Sequence, residues 1–119
     1  MARVTSPSVE LRPAGAAATT GFSSTPQGPI RAAALSDETG VIGMVWADSG
    51  NAAGYVPKPG SVAGVQATGY VWTVARQLAA KKAKAAAVVD EAARYSPLYT
   101  LGQPRQFRDL AAARKALLT

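Results

Sequence analysis

Large apolar residues arrive in bursts along this chain, and their period changes from one burst to the next. Across residues 1–28, Val4, Val9, Leu11 and Phe22 are the large apolar positions beyond the first methionine, set among Ser, Thr, Pro, Gly and Ala. So sparse a pattern cannot offset the ordering entropy of its own backbone. Residues 1–28 are therefore predicted to be an arm, flexible alone or ordered by docking on a surface, either this domain or a partner.

The next burst has strand character. Pro29-Ile30-Arg31-Ala32-Ala33-Ala34-Leu35-Ser36 and Val41-Ile42-Gly43-Met44-Val45-Trp46 flank Asp37-Glu38-Thr39-Gly40. The second flank is β-branched and aromatic, and the acidic link ends in a glycine able to take positive φ, so a β-hairpin is predicted. Simple alternation puts Val41, Gly43 and Val45 on one face and Ile42, Met44 and Trp46 on the other. Both faces are apolar and both call for cover. Turn formers at Asp48-Ser49-Gly50-Asn51 and at Pro57-Lys58-Pro59-Gly60 bracket Ala52-Ala53-Gly54-Tyr55-Val56, a candidate third strand.

From Ser61 onward the period lengthens. Ser61 can cap a helix in which Val71, Val74, Ala75 and Leu78 recur at i, i+3, i+4 and i+7. Gly64 and Gly69 either weaken its first turns or mark where it packs closely on the hairpin. Lys81-Lys82-Ala83-Lys84 interrupts the pattern, which Ala85, Val88, Val89, Ala92 and Tyr95 resume, with Asp90 and Arg94 as an i, i+4 pair. Ser96-Pro97 stops it. Pro104 suits the first position of a last helix whose apolar face would carry Phe107, Leu110, Ala113 and Leu117. The fold class that follows is α+β: a hairpin or short meander on two or three helices, with residues 29–119 as one domain behind the arm. Trp46, Trp72, Val71, Val74, Leu78, Val88, Phe107 and Leu110 form the expected core.

Composition narrows the chemistry. The 119 residues contain no cysteine and no histidine, which removes disulfides, thiol nucleophiles, the commonest general base and the commonest metal ligands. The seven acidic residues fall in the arm, in turns and loops, side by side on a helix, or near a helix start (Asp109), and no pair is set to converge as a hydrolytic site requires. Pro57-Lys58-Pro59-Gly60 lacks a phosphate-loop pattern, and Asp48-Ser49-Gly50-Asn51 lacks the carboxylates of an EF-hand. The reading is a non-enzyme without cofactor, metal or small-molecule substrate. No apolar run behind Arg3 suggests a signal peptide, and no stretch suggests a membrane span. A soluble protein of the cytoplasm or of a virion is expected.

Charge adds a second direction. Residues 1–60 balance, whereas residues 61–119 carry nine bases against Asp90, Glu91 and Asp109, the whole of the net +6. Arg76, Lys81, Lys82, Lys84, Arg105, Arg108, Arg114 and Lys115 are the candidate anion-binding residues, suited to sequence-independent contact with nucleic acid or another polyanion. The run Val41–Trp46, then Ala52–Pro57, then a helix carrying Trp72 resembles small uncharacterised proteins of high-GC bacteria. That resemblance implies a short hairpin followed by two or three helices, and no particular activity. The leading expectation is a non-enzymatic interaction or assembly subunit. It would meet a protein partner or its own copies through the arm and the hairpin, with Val9, Leu11, Phe22, Ile42 and Met44 as docking residues.

Overall fold

The computed structural model describes residues 21–118. Its first regular element is the predicted hairpin. β1 (Ile30–Asp37) and β2 (Gly40–Asp48) pair antiparallel. Gly40 takes φ +118° at the turn, and the Asp37 carboxylate accepts from the Thr39 amide and hydroxyl. β3 (Ala53–Pro57) adds to the other side of β2. Two later strands, β4 (Thr100–Leu101) and β5 (Arg105–Phe107), lie end to end along the outer side of β1. The sheet thus runs β3-β2-β1-β4, with β5 also on β1.

Three helices complete an α+β fold. α1 (Val62–Ala80) starts where Ser61 Oγ accepts the Gly64 amide at 2.9 Å. It ends at Lys81, and Lys82 carries the positive φ (61°) that turns the chain away. α2 (Ala86–Glu91) follows, and α3 (Leu110–Leu117) is capped by Asp109. Helices cover both faces of the hairpin, as two apolar faces require. Ala67, Val71, Val74 and Leu78 of α1 and Val88 and Val89 of α2 close on Leu35, Ile42 and Val45. On the opposite face, Ala113 and Leu117 of α3 close on Ile30, Met44, Trp46 and Phe107.

The structure departs from several of these expectations. Strict alternation separated Ile42 from Val45, but Leu35 pairs with Gly43 and Ser36 with Val41, leaving Ile42 as an extra residue in β2. The bulge turns Ile42 toward α1 and α2 with Val45. Phe107 belongs to β5, paired with Ile30, and the last helix starts after it, not at Pro104. Asp90 pairs with Arg31 (3.8 Å), leaving Arg94 to Glu91 (3.1 Å). Residues 21–28 of the expected arm are ordered against this domain, one of the two surfaces the sequence allows. Phe22 is 3% exposed in the α1–α2 core, and Ser23 forms a parallel bridge with Ala52.

Candidate functional site

The edge of β3 is where the sheet meets the surface, and sequence decides what it presents there. Asp48 N–H donates to Ala52 O, and Lys58 N–H donates to Ile42 O at the other end of the pairing. In an antiparallel ladder the direction alternates residue by residue. Ala52, Gly54, Val56 and Lys58 therefore face β2, while Ala53, Tyr55 and Pro57 point their backbone groups outward. Ala53 N–H is taken by Ser23 O at 3.0 Å, and proline has no N–H. Among the described residues this leaves Tyr55 with the one unoccupied outward amide, flanked by the carbonyls of Ala53, Tyr55 and Pro57.

A groove of about 160 Å³ runs over this edge. Its floor is Ala53–Val56. One wall is Val71, Trp72 and Ala75 of α1; the other is Trp46, Leu110 and Arg114. Gly54 is what lets the walls come close, since a Cβ there would lie 2.8 Å from the Trp46 indole. Gly64 does the same for α1, because a Cβ would sit 2.0 Å from Ile42 O. Of the two readings of Gly64 and Gly69, close packing holds for Gly64 alone; at Gly69 a Cβ would meet nothing within 4 Å. Trp72, expected in the core, is only half-buried and forms part of the groove.

Two polar anchors hold the edge. Tyr55 lies across Gly43, where a Cβ would collide with its ring, and its hydroxyl donates to Gly64 O at 2.8 Å. Burial, with Tyr99 and Asp37 nearby, pushes its pKa to about 12. Asp48, read from sequence as a turn former, is 4% exposed. Its carboxylate accepts from the amides of Gln27 (2.9 Å), Gly50 (2.8 Å) and Ala52 (3.0 Å), tying the 21–28 segment to the β2–β3 connection. Burial raises its pKa, but the Gln27, Ala52 and Gly50 amides outweigh that and hold the carboxyl below its ordinary value.

The docking residues expected from sequence are placed differently. Phe22, Ile42 and Met44 are all buried in the protein's own core (3%, 1% and 7% exposed), so they cannot form a free surface. Val9 and Leu11 lie outside the described residues. The eight candidate anion-binding residues are not gathered either. Arg76 is on α1 and Lys81, Lys82 and Lys84 follow it, whereas Arg114 and Lys115 are on α3, across the sheet. Arg105 stacks over Phe107 at 5.1 Å and Arg108 pairs with Asp109 at 3.5 Å.

No three acidic side chains among the described residues come together as a metal site would need, and no helix among them is long and apolar enough to cross a membrane. The groove itself was not singled out by sequence. Its signal was the short strand between two turn clusters, with Pro57 and the two tryptophans around it. Comparison with known proteins finds no matching family model, curated protein or solved structure.

Proposed function

We propose that this protein is a non-enzymatic interaction subunit, and that it holds its partner by adding an extended segment of that partner to the edge of β3. The observation that carries this reading is the outward Tyr55 amide and its flanking carbonyls, set at the floor of a groove walled by both tryptophans. Main-chain pairing supplies affinity in strand addition, and the walls receive alternate side chains. The docking surface is then the third strand and not Phe22 or the hairpin faces, which the protein's own core takes up.

The test uses a blocked pentapeptide, Thr-Val-Thr-Val-Thr, added to the full chain while Tyr55 amide exchange and tryptophan fluorescence are followed. Binding should slow exchange at Tyr55. It should be lost when the peptide amides on one alternate set are N-methylated and kept when the other set is. Equal binding by both methylated peptides, or none by the parent, overturns strand addition.

A second reading, weak polyanion binding, draws on the fact that of the eight candidate bases only Arg108 has an acidic partner among the described residues. It expects binding to single-stranded nucleic acid that falls steeply with salt. Substituting Lys81, Lys82 and Lys84 with glutamate should abolish that binding; retention with those three reversed overturns it.

A further inference from the structure

We infer, on the strand-addition reading, that the β3 groove selects partner segments in which acidic and large apolar side chains alternate. Successive residues of an added strand point to opposite faces of the sheet. On one face they meet Trp72 and Ala75, an apolar wall. On the other they meet Leu110 and Arg114 beside the Trp46 indole. Arg114 is the one charged residue lining the groove; it is exposed, and no ion pair with it occurs among the described residues. An arginine left open beside a hydrogen-bonding edge is suited to a carboxylate, which it can hold through two parallel N–H donors.

The charge of the whole chain, +6, steers the same kind of segment toward it. A second copy of this chain is a poorer occupant. Pairing β3 with its own symmetry mate would bring one Arg114 toward the other and set two +6 molecules together, a juxtaposition that costs affinity. The committed occupant is therefore an acidic–apolar segment of a different protein.

The two tryptophans of the chain both line the groove, so their fluorescence reads its occupancy directly. The full chain is titrated with blocked Thr-Val-Glu-Val-Thr and with the same peptide carrying lysine in place of glutamate. The glutamate peptide should bind at least about tenfold more tightly, a difference of about 1.4 kcal/mol, and the preference should shrink as salt screens the pair. Arg114→Glu should reverse the order. Arg114→Gln, which removes charge from an exposed position and leaves the fold in place, should level it.

Equal affinity for the two peptides, with the N-methylation pattern still obeyed, overturns the acidic selectivity and leaves strand addition standing. Failure of both peptides to bind overturns strand addition itself. A concentration-dependent dimer in light scattering that shields the tryptophans overturns the choice of a foreign segment in favour of a second copy.

Discussion

Along β1 the outer backbone is taken up twice, by β4 at Leu35 and Ser36 and by β5 from Ile30 to Ala32. Along β3 the covering among the described residues is a single bridge, Ser23 to Ala52, and a proline where the strand ends. Both devices blunt an edge, but they differ in what they leave behind. The β1 side is closed by strands that also bring Phe107 into the core. The β3 side keeps one amide open inside a shaped groove. An edge left bare by oversight would be flat and long; this one is five residues, partly capped, and walled by helices from both faces.

The difference can be broken from either side. Phe22→Ala should have the largest effect, a loss of about 4 kcal/mol in chemical denaturation, because Phe22 anchors the segment that covers the start of β3. The Ala53 amide, which Ser23 occupies, should exchange faster in that variant. Phe107→Ala should cost about 3 kcal/mol and loosen β5. Bared along β1, the variant should self-associate more strongly than the parent chain in light scattering.

Asp48→Asn should cost about 2 kcal/mol, since the replacement amide turns N–H groups toward backbone donors. Its pH dependence sharpens the point. The folded pKa lies below the ordinary 3.8, so the unfolded chain takes up the proton first as pH falls. The stabilisation is complete above that ordinary value and fades as pH drops through the folded one. Denaturation of the parent should therefore show an acid limb that the Asn variant has largely lost.

Much of this architecture is legible in the residues. The hairpin follows from two apolar flanks around Asp37–Gly40, the α1 start from Ser61, and the α1–α2 break from the lysines after Ala80. What escapes has physical reasons. β4 and β5 are two and three residues long, too short to carry a period of two, and exist because β1 offers them a ladder. The Ile42 bulge is a property of pairing, which no single strand encodes. Phe22 sits in a stretch whose composition argues against order, and one aromatic with a cavity to fill outweighs that average. The groove combines buried, half-buried and exposed residues from both faces of the sheet, and periodicity, which sorts residues into inside and outside, assigns Trp72 to the core.

The closure of the β3 edge by residues that precede the sheet also sets a timetable for the newborn chain. Gly21 lies against Ala79, and Phe22 fills a core built largely from α1 and α2. A ribosome delivers Phe22 before its resting place, so the aromatic waits, uncovered, until α1 and α2 have emerged. β1 waits longer still, for Phe107 near the far end of the chain. Until then the nascent sheet carries both margins bare, which is the interval in which chaperones and aggregation compete for it.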